Sequence, residues 1–82
     1  MNTNKPAHEV RLGNIRATIW PNQKDQKTWY AVTLARRYRQ GTEWKDASSF
    51  NHDDLPVVVQ AAQMAYSWIW EHQGVTDSQE EA

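Results

Sequence analysis

The chain has 82 residues, no cysteine, and no apolar run near the roughly 20 residues that cross a bilayer. This length fits one small domain, with no disulfide, cysteine-based zinc site or membrane span. The formal net charge of −1 hides two opposite halves. Residues 1–50 hold nine Lys and Arg against four acids, whereas residues 51–82 hold six acids and no Lys or Arg. Such an asymmetry points to a polyanionic partner or an acidic tail.

The chain begins with a polar segment, residues 1–7, which we expect to be a flexible arm. This segment lacks the apolar centre of a signal peptide, and the absence of cysteine fits a reducing compartment. We therefore expect a cytoplasmic protein. A single sheet-and-helix domain should cover residues 8–73, and residues 74–82 should form an acidic disordered tail.

The first β-like stretch covers residues 8–20. Ile15, Ala17 and Ile19 alternate there with Arg16, Thr18 and Trp20, which is the period of a half-buried strand. The pair Gly13-Asn14 either divides this stretch into two strands or marks a bulge.

Two further β-like stretches follow a polar turn at residues 21–27. The second stretch, residues 28–40, also alternates, with Tyr30, Val32 and Leu34 on one side. A short hairpin turn around Gly41 leads to a third and more polar stretch, residues 43–50, which we expect at a sheet edge.

The last predicted element is a helix that begins between Asn51 and Asp54 and ends near His72, before Gly74. We favour Asp53 as the N-cap, because Pro56 is tolerated only in the first helical turn. The predicted fold is therefore α+β, with an antiparallel sheet of three to four strands followed by one C-terminal helix, in the order β-β-β-β-α.

The apolar residues of this helix form two rows at 100° per residue. We assign the first row to the sheet: Leu55, Val58, Val59, Ala62, Tyr66 and Ile69. The second row points roughly the opposite way and predicts a homodimer interface: Val57, Ala61, Met64 and Trp68. The alternative is that the second row consists of small or adaptable residues exposed to solvent.

Basic and aromatic residues share the side of the sheet that lacks Val, Leu and Ile. This set comprises Arg16, Thr18, Trp20, Trp29, Thr33, Arg37 and Arg39. Guanidinium groups bind phosphates as a planar fork, and aromatic rings stack on unpaired bases. The pattern favours single-stranded nucleic acid over duplex. The alternative is a solvated sheet face on which Trp rings cover aliphatic stems.

The run from Arg36 to Arg39 is the densest charge in the chain. Alternation sends Arg37 and Arg39 to one side and Arg36 and Tyr38 to the other, and both sets can reach solvent near a strand end. Alternatively, the run is a charged strand end that prevents edge aggregation. Trp44 and Lys45 can extend this patch, although Trp44 fits a core position equally well.

Catalysis and metal binding find little support. His8, His52 and His72 show no ligand spacing, and the chain has no cysteine nucleophile, Gly-rich phosphate loop or serine elbow motif. We expect no enzyme, no cofactor, no metal, no membrane partner and no small-molecule substrate.

Two short sequence segments, together with the order of the predicted elements, resemble a known family. Leu12-Gly13-Asn14-Ile15-Arg16 has an apolar-Gly-polar-apolar-Arg pattern, and Val32-Thr33-Leu34 precedes the run Arg36-Arg37-Tyr38. A polar strand then leads directly into the helix. Over about residues 9–70 this layout resembles the single-stranded-DNA-binding domain of the positive cofactor 4 family of transcriptional coactivators, including its bacterial and phage relatives.

The resemblance implies a homodimer paired largely through its helices, with curved sheets across which a single strand runs with little sequence preference. It also implies Tyr38 as a stacking residue. The full set predicted to contact nucleic acid is Arg11, Arg16, Trp20, Trp29, Arg36, Arg37, Tyr38, Arg39 and Lys45. We therefore expect a protein that binds single-stranded DNA or RNA in transcription, replication or recombination.

A second class of function fits the same residues. Trp and Arg are frequent hot-spot residues of protein interfaces, so the basic sheet face could bind an acidic protein partner. In that case the protein is a small interaction regulator without affinity for oligonucleotides.

Overall fold

A computed structural model describes residues 5–73 and shows four antiparallel strands followed by one helix. The strands are β1 (His8–Leu12), β2 (Ile15–Lys24), β3 (Lys27–Gln40) and β4 (Glu43–Ala47), and they lie in the order β1-β2-β3-β4. A 3-10 turn (His52–Asp54) leads into α1 (Leu55–Gln73). The α+β prediction is confirmed. The predicted arm lies mostly, and the predicted acidic tail wholly, outside the described residues.

Two-residue turns join the strands. Gly13 has φ = 62° between β1 and β2, and Gly41 has φ = 67° between β3 and β4; glycine adopts this left-handed region without a steric penalty. Gly13-Asn14 thus divides the first predicted stretch into two strands and is not a bulge.

The predicted turn at residues 21–27 is much shorter in the structure. Only Asp25 and Gln26 form it, and both have positive φ values, 53° and 67°. Two left-handed residues match the twist of the flanking strands, so β2 and β3 continue to Lys24 and Lys27 as a two-stranded ribbon. Pro21 is tolerated there, because the pairing of β1 with β2 ends at Ile19 and leaves that edge of β2 unpaired.

The core lies between the sheet and α1, as the alternation along β2 predicts. Ile15, Ala17 and Ile19 are buried, together with Val10 of β1. The edge position predicted for the third stretch is also confirmed, although β4 ends at Ala47.

The helical segment begins one turn before α1. The backbone N–H of Asn51 donates to Asp54 Oδ2 at 3.1 Å, and the N–H of Asp54 donates to the Asn51 carbonyl oxygen at 2.8 Å. Asn51 is therefore the N-cap, and the prediction of Asp53 is wrong. The Asp53 side chain is exposed and contacts His52 instead.

The orientation of α1 differs from our prediction. Of the row predicted to face the sheet, Val58 and Ile69 do pack against the core, whereas the other four residues are exposed: Leu55, Val59, Ala62 and Tyr66. Ala61 and Ala65 are buried against the sheet, with Val57 and Trp68 packed beside them. Three of the four residues predicted for the dimer interface thus pack inside the chain, and only Met64 is substantially exposed. The reason is that the alanines let the helix approach the sheet closely. Our prediction ranks the rows by side-chain size and therefore places the larger residues in the core.

The molecule is flat, with principal extents of 49 × 34 × 15 Å. Because α1 covers one side of the sheet, the opposite side has no second layer among residues 5–73. Within that range no helix is both long and apolar enough to cross a membrane.

Candidate nucleic-acid interface

The side of the sheet opposite α1, here called the open face, carries most of the residues predicted to bind nucleic acid. Directly paired residues on neighbouring strands project to the same side of a sheet. Arg16 pairs with Arg11, Arg37 with Asp46, and Arg39 with Trp44. The register therefore brings together the following predicted residues: Arg11, Arg16, Trp20, Trp29, Arg37 and Arg39.

The open face is basic. Six cationic side chains project from it: Arg11, Arg16, Lys24, Lys27, Arg37 and Arg39. Only Glu9 and Asp46 oppose them on the strands of this side. A surface with this balance attracts phosphates, and salt screens that attraction.

Trp44 is the centre of one end of the open face. It is 56% exposed, and the guanidinium carbons of Arg37 and Arg39 lie 4.7 and 5.5 Å from its ring centroid. Arg39 is also held by a 3.2 Å hydrogen bond from its Nε to the Gly41 carbonyl oxygen. Neither arginine forms an ion pair with any of residues 5–73. Two charges are therefore held beside an exposed ring and remain available to an anion.

A second aromatic pair lies toward the other end, on the β2–β3 ribbon. Trp29 is 45% exposed and sits diagonally across from Trp20, whose direct partner is Ala31. The indole Nε1 of Trp20 donates to Thr33 Oγ1 at 2.9 Å, which fixes the orientation of that ring. Trp20 and Ala31 also line a shallow depression with Pro21 and Asn22.

Small residues separate the two aromatic ends. Ala31, Thr33 and Ala35 follow one another along the open side of β3, and Thr18 lies opposite Thr33. From Trp29 to Arg39 the strand rises roughly 33 Å at about 3.3 Å per residue. A chain molecule could lie along this low central strip with contacts to aromatic rings at both ends.

Arg16 differs from Arg37 and Arg39, because it is already paired. Its Nη2 lies 2.6 Å from Asp46 Oδ2, and its Nε lies 3.4 Å from Glu9 Oε2. Glu9 also contacts Arg11 at 3.4 Å. These side chains are partly exposed, so each pair contributes at most about 1 kcal/mol to stability.

Three predicted residues lie on the helix side of the sheet, away from the open face: Arg36, Tyr38 and Lys45. Arg36 Nε donates to the Ser49 carbonyl oxygen at 2.9 Å and lies 3.9 Å from Asp54 Oδ2. Arg36 thus contacts and stabilises the segment that connects β4 to α1. The Arg36 guanidinium also lies 5.4 Å from the Tyr38 ring centroid, and Lys45 contacts Glu43. The structure therefore splits the predicted site between two surfaces.

The prediction also left out residues that belong to the open face. From the sequence, Trp44 fits core and surface equally well, and Lys24 and Lys27 fall in the predicted turn at residues 21–27. The alternation of β3 places Lys27 on the side of Arg37 and Arg39, opposite Leu34. Lys24 and Trp44 join that side only through the register, as the partners of Lys27 and Arg39.

His8 and His72 take part in packing. Trp68 stacks on His72 at 3.9 Å and on His8 at 5.1 Å between ring centroids, and Tyr30 meets its edge at 5.5 Å. Across residues 5–73 no group of three or more His, Cys, Asp or Glu is placed to hold a metal ion.

No protein-family model, curated protein or solved structure matches the chain.

Proposed function

We propose that the protein binds single-stranded nucleic acid on its open face. The observation that carries this proposal is the group at Trp44, where Arg37 and Arg39 lie beside an exposed ring without carboxylate partners among residues 5–73. Guanidinium groups bind phosphate oxygens as a fork, and stacking of a base on an aromatic ring contributes about 1–3 kcal/mol.

A bound strand would run along β3, with one base on Trp29. At the other end, phosphates would draw the guanidiniums of Arg37 and Arg39 off the Trp44 ring, which would free it for a second base. The small residues between these ends leave room for the backbone. A duplex is disfavoured, because its bases are already stacked on one another and cannot stack on the Trp rings. Affinity then depends on phosphate charge and on stacking, both of which tolerate any base sequence.

We also propose that the protein acts as a homodimer through the exposed apolar row of α1, here called the helix seam: Leu55, Val59, Ala62, Tyr66 and Trp70. These residues follow spacings of four and three, as in self-pairing helices. Tyr66 and Trp70 contact each other edge to face at 6.1 Å. Glu71 is the only carboxylate of α1, and α1 has no Lys or Arg, so two copies could pair with little charge repulsion.

A role in transcription, replication or recombination inside the cell follows from such binding, because these processes expose single strands. DNA and RNA both fit the open face, since phosphates and base rings are common to both. A series of matched DNA and RNA oligonucleotides would rank the two.

The direct test is fluorescence anisotropy with a labelled single strand of about 20 nucleotides and its duplex, at two salt concentrations. We expect tighter binding to the single strand, with affinity falling as salt rises. Trp44→Ala should weaken binding about fivefold or more, whereas the neighbouring change Lys45→Ala, on the helix side, should alter it by less than twofold. Absence of binding at low salt would refute the proposal.

One observation favours a second candidate function. Arg16 already pairs with two carboxylates, those of Asp46 and Glu9, so the open face can bind acidic side chains as well as phosphates. If oligonucleotides do not bind, an acidic protein partner contacting Trp29 and Trp44 becomes the better explanation, and a pull-down comparing wild type with Trp44→Ala would identify it.

A further inference from the structure

We propose that Arg16 is a second phosphate subsite, and that Asp46 occupies it in the free protein as an internal competitor. This inference rests on the proposed function, since it concerns the same face and the same ligand. It identifies Asp46 as the residue that limits affinity for the strand.

The geometry requires Arg16 to reach across a whole strand. Arg16 belongs to β2 and Asp46 to β4, which lie two strands apart, or roughly 10 Å. The direct partner of Arg16 on β3 is Ala35, whose methyl group leaves space for the long side chain to pass over it. Thirty residues separate the two ends of this 2.6 Å contact in sequence.

The chemistry makes the carboxylate a substitute for phosphate. Both groups present oxygens to a guanidinium in the same planar arrangement, so Asp46 Oδ2 stands where a phosphate oxygen would bind. Asp46 pairs in register with Arg37, yet the Arg37 guanidinium lies over the ring of Trp44, 4.7 Å from its centroid. Asp46 is the closer of the two carboxylates at Arg16, since Glu9 lies 3.4 Å away and is shared with Arg11. Asp46 therefore occupies Arg16 and leaves the charge at Trp44 available.

A phosphate could displace Asp46 without a large penalty. The side chains of Arg16 and Asp46 are 25% and 49% exposed, and pairs at such exposures are weak. Asp46 nevertheless opposes binding twice, because it competes for Arg16 and repels phosphates near Arg37. Removing its charge should therefore tighten binding.

The experiment compares Asp46→Asn with wild type by anisotropy on the same single strand. We expect affinity to rise about three- to tenfold at low salt, with the slope of log K against log salt steeper by up to about 0.7. The matched control is Glu43→Gln, which makes the same charge change on the same hairpin but on the helix side, where Glu43 contacts Lys45. The control should change affinity by less than twofold.

Arg16→Ala in both backgrounds completes the test. In wild type it should have a small effect, because the charge it removes is already neutralised. In Asp46→Asn it should abolish most of the gain and leave only the smaller part that comes from relieving the repulsion of phosphates near Arg37. A gain equal to that of Glu43→Gln, or one that persists undiminished without Arg16, would overturn the subsite.

The outcomes separate this inference from the proposed function. If wild type and Asp46→Asn both fail to bind any oligonucleotide, the proposed function fails. If wild type binds and Asp46→Asn binds equally or more weakly, only the role of Asp46 fails. Asp46→Ser provides a second variant without the charge, and circular dichroism confirms that each variant is folded.

Discussion

Ala61 of α1 and Ile19 of β2 belong to one buried cluster, and neither exposes any of its side chain to solvent. Because Ala61 presents only a methyl group, the helix lies close to the sheet above β2. Ala65, one turn further along, is buried in the same way. The separation between the two layers thus depends on small residues of α1.

Replacing Ala61 with leucine should destabilise the fold. The extra carbons have no open space to enter, because Ala61 is fully buried between α1 and the sheet. We therefore expect a loss of about 1–3 kcal/mol and a fall in Tm of about 4–8 °C for each kcal/mol. The adjacent change Ala62→Leu lies on the exposed helix seam and should leave the monomer stability within about 0.5 kcal/mol. Urea denaturation followed by circular dichroism measures both, and equal losses would contradict the observed orientation of α1.

The sequence predicts the sheet better than the helix orientation, for a physical reason. Alternation along β2 identifies Ile15, Ala17 and Ile19 as the buried side, because a strand has only two sides. A helix with two apolar rows leaves the buried side undecided, since either row could face the sheet. Only the three-dimensional fit between alanines and β2 decides it.

The residues predicted to bind nucleic acid lie on two sides of the sheet for a related reason. Arg37 and Arg39 are correctly grouped with Trp20 and Trp29, because the assignment followed strand alternation. The ion pair between Arg16 and Asp46 could not be foreseen, since it joins residues that come together only when β2, β3 and β4 align.

The N-cap offers a prediction about the helix start. Asp54 accepts a hydrogen bond from the backbone N–H of Asn51, whereas Asp53 is exposed. Asp54→Ala should therefore cost about 1 kcal/mol, while Asp53→Ala should cost less than about 0.5 kcal/mol. Thermal and urea unfolding of the two variants test this, and a larger loss for Asp53→Ala would restore Asp53 as the cap.

Two arginines of β3 should separate binding from stability. Arg39→Ala removes a cation of the open face, so we expect single-strand affinity to fall about five- to tenfold and the salt slope to become shallower by about 0.7. Arg36→Ala removes the hydrogen bond to the Ser49 carbonyl oxygen and should lower stability by about 1 kcal/mol. Its effect on affinity should be less than twofold.

These two variants are compared by anisotropy at several salt concentrations and by urea denaturation. The opposite pattern, in which Arg36→Ala weakens binding and Arg39→Ala does not, would place the nucleic acid on the helix side of the sheet. Tyr38 and Lys45 would then return as contact residues, because they share that side with Arg36.

The helix seam predicts a dimer that a single charge should disrupt. Val59 is 67% exposed and lies within the seam, so Val59→Glu would place a carboxylate from each copy in an apolar contact. Burying an unpaired charge is strongly unfavourable. We therefore expect the dissociation constant of the dimer to rise at least tenfold above that of wild type. The matched control is Met64→Glu, which adds the same charge at an exposed residue away from the seam.

Sedimentation velocity over a range of protein concentrations measures this directly. Wild type and Met64→Glu should sediment as dimers at concentrations where Val59→Glu is a monomer. A seam dimer also requires the Tm of wild type to rise with protein concentration, and the Tm of Val59→Glu should not. If wild type is monomeric at every concentration, or if Met64→Glu dissociates it as readily as Val59→Glu, the helix seam is not the dimer interface.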